Sequence, residues 1–283
     1  MRDISNNPRL FSINTGSLGY KTPLENIIKE CAKRNIGYIS PWRSELVGKD
    51  LSRLRNLLDE SNIKVNSLCR SSYYTAQDKQ QRNLAIDDNK RALDDAAKLG
   101  AGSYVQVVGS LYPGQKNLQE VRAQVKEGIF NLLEHSKAVG VSIAIEPLHP
   151  MTCGDRSCIT TLREALDLCD ELDPSHDFNL GVVVDVYHVW WDAYIFEQIK
   201  RASSRILNFH VADWLLTTSD LVNDRGMPGD GCIDIKQLRE AVEKSGFSGA
   251  VELEVFSLKH WWKLPVEELL DVCVRRISAS HQT

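Results

Sequence analysis

The 283-residue chain lacks a CxxC pair, a GxGxxG turn after its first apolar run, a P-loop and any stretch approaching a membrane span. Each absence excludes something. The seven cysteines are odd in number, with Cys153 and Cys158 the nearest neighbours, and they read as free thiols of a reducing cytosol. The N-terminus MRDISNNPRLF has no apolar run long enough for a signal peptide. No segment nears the roughly 18 apolar residues of a membrane-crossing helix. A cytoplasmic protein without a membrane partner is therefore expected. The missing GxGxxG disfavours an open, doubly wound nucleotide-binding sheet. Without a P-loop or a glycine-rich nest at a strand end, phosphate recognition has no sequence support. The net charge of −4 argues against a nucleic-acid partner, because a phosphate backbone wants a basic surface. No linker, low-complexity tract or charge block divides the chain, so residues 1–283 are expected to form one domain.

What is present is alternation. Hydrophobic residues make up 42% of the chain, enough for a sizeable core. Short apolar runs fall at Leu10–Asn14, Gly37–Ser40, Lys64–Cys69, Gly102–Val108, Val141–Glu146, Leu180–Asp185, Ile206–His210 and Ala250–Val255. Between most of them lie segments of helical period: Leu24–Lys33, Leu51–Asp59, Asn89–Leu99, Val121–Ala138, Leu162–Leu172, Tyr194–Ala202, Ile235–Lys244 and Val266–Ile277. Thr22-Pro23-Leu24-Glu25 and Thr161-Leu162-Arg163-Glu164 carry capping-box spacing. Gly100 and Gly140 stand where left-handed C-caps belong. Eight strand–helix units predict a (β/α)8 TIM barrel, an α/β fold whose active site lies at the C-terminal strand ends. The segments Ser110–Leu118 and Val211–Cys232 are long enough to be functional loops.

Four of the later runs end in a side chain that binds metals: VSIAIE at Glu146, LGVVVD at Asp185, ILNFH at His210 and AVELE at Glu254. A strand buried on both faces should hold no acid or imidazole unless something at that end uses it. On adjacent barrel strands about 4.8 Å apart, these groups can surround one divalent cation. Ordinary alternatives exist for each: a turn-capping acid at Glu146, a helix N-cap at Asp185, a structural histidine at His210. Glu252 and Glu254 share one face of their strand, and either is a possible ligand. His188, three residues after Asp185, suits a contact to substrate or to a ligand. Trp190, Trp191, Trp261 and Trp262 suit a site wall or an interface, and the Trp261–Trp262 pair hints at a homo-oligomer.

The phrases Ile145-Glu146-Pro147-Leu148, Asp185-Val-Tyr-His188, Phe209-His210-Val-Ala-Asp213, Gly229-Asp-Gly-Cys-Ile-Asp234 and Glu254-Val-Phe-Ser257 resemble the xylose isomerase-like TIM-barrel superfamily. The similarity spans nearly the whole chain. It is strongest to the group holding ketose 3-epimerases and inosose isomerases and dehydratases. The resemblance implies one divalent metal ion held by Glu146, Asp185, His210 and Glu254, with Glu254 preferred to Glu252 because Val255-Phe256 follows it. It implies substrate contacts from His188 and Arg225, and proton transfer by Glu146 and Glu254.

The expected activity is a metal-dependent isomerisation or epimerisation of a keto-sugar or polyol. A proton next to the carbonyl is removed and returned through a metal-stabilised enediolate. The all-oxygen-and-nitrogen ligand set suits Mn²⁺, Co²⁺, Mg²⁺ or Zn²⁺, with Mn²⁺ first. Pro147-Leu-His-Pro-Met151 and Trp190-Trp191 depart from the ketose epimerases and leave room for an inosose dehydratase or a lyase. An abasic-site endonuclease of the same superfamily needs further histidines. Here Cys69-Arg70-Ser71, Val107-Val108-Gly109 and Asp224-Arg225-Gly226 supply none. A non-catalytic binding barrel is the remaining alternative.

Overall fold

Nine parallel segments close into a barrel in the computed structural model, which describes residues 2–280. Two of the segments are halves of one strand. The strands are β1 (Phe11–Asn14), β2 (Tyr38–Ser40), β3 (Lys64–Val65 and Ser67–Leu68), β4 (Ser103–Gln106), β5 (Ser142–Ile145), β6 (Gly181–Asp185), β7 (Ile206–Val211) and β8 (Val251–Leu253). The first half of β3 pairs with β2 and the second half with β4, so the ring closes across Asn66. Eight helices cover the outside: α1 (Leu24–Lys33), α2 (Leu51–Glu60), α3 (Lys79–Leu99), α4 (Leu118–Val139), α5 (Leu162–Leu172), α6 (Ile195–Ala202), α7 (Ile235–Lys244) and α8 (Val266–Ala279). The expected (β/α)8 barrel is the observed one. No helix among the described residues is long and apolar enough to cross a membrane.

Local signals placed most boundaries. Gly100 and Gly140 sit at φ 69° and 73° and close α3 and α4. The Thr161–Glu164 capping box starts α5. The Thr22 box does not form. Pro23 is extended, at φ −55° and ψ 139°, so the helix begins one residue later and no side chain caps it. Glu25 pairs with Lys49 instead. Helix α3 begins at Lys79 rather than Asn89, capped by the Asp78 carboxylate at 2.8 Å from the Gln80 amide. Its first buried residue is Asn89, so the earlier turns face water and carry no apolar period.

Large aliphatic side chains pack between the strands and the helices. The barrel interior holds a smaller apolar layer of Cys69, Val105, Ala144 and Val183. Below it lie short polar residues, Ser12, Ser40, Ser67 and Asn14, all buried. A register shift between Val182 and Val183 sets Asp185 opposite His210, and His210 lies opposite Glu252.

The segment after β7 is not structureless. The Asp213 carboxylate accepts hydrogen bonds from four backbone amides: Trp214 and Ile233 at 2.9 and 3.0 Å on Oδ1, Gly229 and Gly231 both at 2.9 Å on Oδ2. Antiparallel bridges Asp213–Gly226 and Asp224–Ser257 hold it to itself and to the end of β8. The Ser110–Leu118 loop, by contrast, contributes nothing to the cavity described below. Replacing Asp213 by Ala orphans the four amides and is expected to cost about 3 kcal/mol. Urea denaturation measures it, and a loss under about 0.5 kcal/mol would show that Asp213 does not organise this loop.

Candidate functional site

Strands β5 to β8 each deliver one side chain to a common point. Glu146 follows Ile145 at the end of β5, Asp185 closes β6, His210 is the penultimate residue of β7, and Glu254 follows Leu253 of β8. One ligand atom from each lies within 4.8 Å of every other, and all four residues are buried. His210 Nδ1 stands 3.3 Å from Glu146 Oε1 and 3.5 Å from Glu254 Oε2. Glu146 Oε1 and both His210 nitrogens are buried and make no hydrogen bond. Buried polar atoms aimed at one another without bonding need another partner. Three carboxylate oxygens and an imidazole nitrogen fit a divalent cation, whose bonds of about 2.1 Å reach all four with small side-chain adjustments.

Glu252 is not a member of this group. Its Oε2 accepts from Ser12 Oγ, Ser40 Oγ and Asn66 Nδ2 at 3.0, 2.6 and 2.6 Å, and its Oε1 accepts from Asn14 Nδ2 at 3.2 Å. Its Oε1 also faces His210 Nε2 at 3.5 Å. Glu252 thus lies behind the imidazole, where a carboxylate holds Nε2 and turns Nδ1 towards the common point. Asp185 combines two of the readings available from sequence. Its Oδ1 accepts from the Tyr187 amide at 2.8 Å and caps the four-residue helix Val186–Val189, while Oδ2 faces the cluster.

Arg225, from the loop after β7, donates through Nη1 to Asp185 Oδ2 at 3.3 Å and to Glu254 Oε2 at 3.2 Å. Its guanidinium lies between the rings of Tyr187 and Phe256, at 4.4 and 4.7 Å from their centroids. Arg225 Nη2 stands 3.2 Å from His188 Nε2. His188 has a donor against each ring nitrogen, the His149 amide 3.1 Å from Nδ1 and Arg225 Nη2 at Nε2, and a neutral ring accepts from only one of them; Nε2 also stands 3.6 Å from Asp185 Oδ2. His149 in turn stacks on Trp214 with centroids 4.7 Å apart.

The electrostatics follow from burial among charges. Burial, opposed by Arg225, pushes Asp185 up to about 8. Burial and the Glu254 charge raise Glu146. For Glu254, burial raises the pKa, but His210 and Arg225 outweigh it and hold the group well below the usual carboxylate range. Burial alone would lower His210; the carboxylates of Glu252, Glu146 and Glu254 hold it well above free imidazole. Burial and Arg225 keep His188 well below.

All six residues expected from sequence, Glu146, Asp185, His188, His210, Arg225 and Glu254, meet at this end of the barrel. Glu146, His188, Arg225 and Glu254 line a cavity there, with Trp42, Cys69, Arg70, Leu148, Thr152, Arg156 and Phe256 among the other lining residues. Sequence reading missed Asn14. It accepts from Trp42 Nε1 at 2.7 Å and donates to Glu254 Oε1 at 2.9 Å. It missed Arg70 and Arg156 as well. None of the three ends an apolar run with an acid or imidazole, which was the only strand-end signal used. The tryptophans split: Trp191 Nε1 donates to the His188 carbonyl at 2.8 Å, and Trp262 Nε1 donates to the Ser17 carbonyl at 3.0 Å. Trp261 and Trp262 are half-buried within their own chain.

A family model described as xylose isomerase-like TIM barrel matches residues 28–274. An inosose isomerase from Halalkalibacterium halodurans is 24% identical over 267 residues, 88% of this chain and 90% of that one. Among solved structures, protein SMc04130 from Sinorhizobium meliloti 1021 superposes with a TM-score of 0.93 at 42% identity, covering 98% of this chain and 100% of that one. The IOLI protein, solved with a bound zinc atom, gives a TM-score of 0.82 at 22% identity over 96% and 97% of the two chains.

Two outcomes follow from the geometry. Glu252→Gln leaves the fold intact and weakens binding of a divalent ion about 10- to 100-fold, because His210 loses its orienting carboxylate. Titration calorimetry with Mn²⁺ reads this directly, and unchanged affinity removes Glu252 from that role. The second outcome concerns pH. Chelator-treated protein holds protons on Asp185 and His210 that an unfolded chain, with pKa values near 3.9 and 6.5, has released by pH 8. The depressed His188 acts in the opposite sense only below about 6.5. Stability of the stripped protein therefore falls between pH 6.5 and 8, lowering Tm by about 3 °C or more. Excess Mn²⁺ at pH 8 reverses the fall, since an ion replaces the protons. A stripped-protein Tm that rises across this window contradicts the assignment.

Proposed function

We propose, from the premise that this chain belongs to the xylose isomerase-like TIM-barrel family, that it is a divalent-metal-dependent sugar isomerase or epimerase acting on a keto-sugar or polyol-derived ketone. The observation that carries the reading is the convergence of Glu146, Asp185, His210 and Glu254 on one point, with only two of the four, Glu146 and Glu254, in the cavity wall. Asp185 and His210 lie beneath and are suited to holding an ion. Glu146 and Glu254 also face the space a substrate occupies and are suited to moving protons. The inosose isomerase among the relatives and the zinc in the IOLI protein agree with this reading.

Glu146, Asp185, His210 and Glu254 would hold one divalent ion, Mn²⁺ by preference, with Co²⁺, Mg²⁺ or Zn²⁺ accepted by the same ligand set. When bound, the ion supplies Lewis acidity that polarises the substrate carbonyl and makes the neighbouring C–H acidic. The chain's own groups do the rest. Glu146 Oε1 and Glu254 Oε2 both stand within 3.5 Å of the same His210 ring nitrogen. One removes the proton next to the carbonyl and the other returns a proton to the opposite face, which inverts the centre or moves the carbonyl. His188 and Arg225 stand side by side and are suited to holding an oxygen that gains charge. Trp42, Leu148 and Phe256 exclude water from the exposed intermediate.

The test is NMR of a ketose and inosose panel in D₂O with Mn²⁺ supplied. Deuterium is expected at the carbon next to the carbonyl of at least one member. Release of water together with exchange would mark a dehydratase on the same site. Glu146→Gln is expected to keep the native circular dichroism and lower exchange about 10²- to 10⁴-fold. Exchange at the wild-type rate in that variant removes Glu146 from the proton-transfer role.

A further inference from the structure

We propose that the substrate carries an anionic group, a carboxylate or a phosphate, and that Arg70 and Arg156 bind it on the cavity wall. The inference rests on the enolising-enzyme reading above and adds the substrate class to it. Both arginines line the cavity that holds Glu146 and Glu254. Arg70 follows the end of β3. Its guanidinium lies 5.9 Å from the centroid of Trp42 and 5.2 Å from that of Tyr73, and Nη1 donates to the Tyr73 hydroxyl at 2.9 Å. It has no carboxylate partner among the described residues. Arg156 comes from the loop after β5. Its nearest acid is Asp155, 4.0 Å away with a side chain 74% exposed, a pair that water screens.

Several other half-buried arginines of this chain are paired with acids, while Arg9 and Arg82 donate only to backbone carbonyls. Arg34 holds Glu30 and Asp271, Arg43 holds Asp88, and Arg122 holds Glu164. The cavity wall contains two guanidinium groups with no buried carboxylate partner. Local charge points the same way. A divalent ion and Arg225 carry three positive charges against the four buried carboxylates Glu146, Asp185, Glu252 and Glu254. Among the described residues Glu146 and Glu254 are the only carboxylates in the wall, so Arg70 and Arg156 together exceed the one negative charge left over. Their forked donors match a carboxylate or phosphate in the plane of its oxygens. Arg70 is held against two rings, so little entropy is lost when it binds. Recognition of an anion by arginines uses no glycine-rich turn, so the lack of a phosphate motif in the sequence does not oppose it.

Three ketoses that differ at one end separate the possibilities: D-fructose, D-fructuronate and D-fructose 6-phosphate. Exchange in D₂O with Mn²⁺ is expected to show a KM at least tenfold lower for one charged member than for D-fructose. Preference for the uronate marks a carboxylate site, and preference for the phosphate ester a phosphate site. Arg70→Gln and Arg156→Gln are each expected to cut the charged-to-neutral ratio of kcat/KM tenfold or more, with Arg70→Lys recovering part of it. Equal KM values for charged and neutral ketoses, or variants that leave the ratio unchanged, overturn the proposal. If no member exchanges, the enolisation reading fails on this panel. Calorimetry of the Mn²⁺-loaded protein with inorganic phosphate and with D-glucuronate then decides the anion site alone. Binding of either that both Gln variants lose supports it, and no binding of either to the wild type refutes it.

Discussion

Four carboxylates, two imidazoles and one guanidinium are buried together at this end of the barrel, and their burial is the constraint that shapes the rest. Each ion costs several kcal/mol to remove from water unless neighbours compensate it. Compensation is uneven along the barrel axis. Deepest in, Glu252 is surrounded by donors from Ser12, Ser40, Asn66 and Asn14. Nearer the cavity, Glu254 shares Asn14 and Arg225, and Asp185 shares a helix N-terminus and Arg225. Glu146 Oε1 has nothing. Satisfaction falls from the floor towards the cavity, and Glu146 Oε1 and His210 Nδ1, both unsatisfied, meet at the cluster. A core selected for stability alone would not leave that gradient.

The fold serves this arrangement through register and rigidity. The shift at Val182–Val183 aligns Asp185 with His210, and parallel pairing puts Glu252 beside the same histidine. Short polar side chains on β1, β2 and β3 keep the interior narrow enough for their hydroxyls and amides to reach Glu252. The loop after β7 would be a poor support for a charged residue if it were mobile. Asp213 ties it through four amides, and Tyr187 and Phe256 clamp the Arg225 guanidinium from both sides. Arg225 therefore reaches the carboxylates from a fixed direction, as a preorganised donor must.

The sequence made the barrel and the acid cluster legible for one reason: an acid or imidazole interrupts an apolar run only at a cost. That signal pointed to Glu146, Asp185 and His210 from the residues themselves and narrowed the fourth to Glu252 or Glu254, with the resemblance preferring Glu254. Arg225 was legible only through its family resemblance, since an arginine in a polar loop interrupts nothing. Glu252 and Glu254 could not be told apart by spacing, because both face inward; their partners separate them. Asn14 and the serines around Glu252 look like ordinary polar positions in a strand. Arg70 and Arg156 stand outside regular structure, where no periodicity marks a side chain as facing a cavity. The exposed first turns of α3 and the missing cap at Thr22 failed for a related reason: a local motif says nothing about the backbone angle its neighbour adopts.

The two halves of the barrel divide the chemistry. Strands β5 to β8 supply every acid and both histidines that meet at the site, a hard and negatively charged surface. The cavity residues contributed from the side of β1 to β4, among them Trp42, Cys69, Arg70, Val105 and Val107, are apolar or cationic. A sugar lying between them cannot meet both sides with the same face. Under the proposed activity its carbonyl and neighbouring hydroxyl belong on the acid side, where an ion would sit beside the proposed proton-transfer pair. Its carbon skeleton then faces the valines and Trp42, and its far end approaches Arg70. Such a wall orients a ketose end to end before any proton moves. Orientation is worth having here because Glu146 and Glu254 reach only one region of the cavity, and a substrate bound the other way round would present them with the wrong carbon.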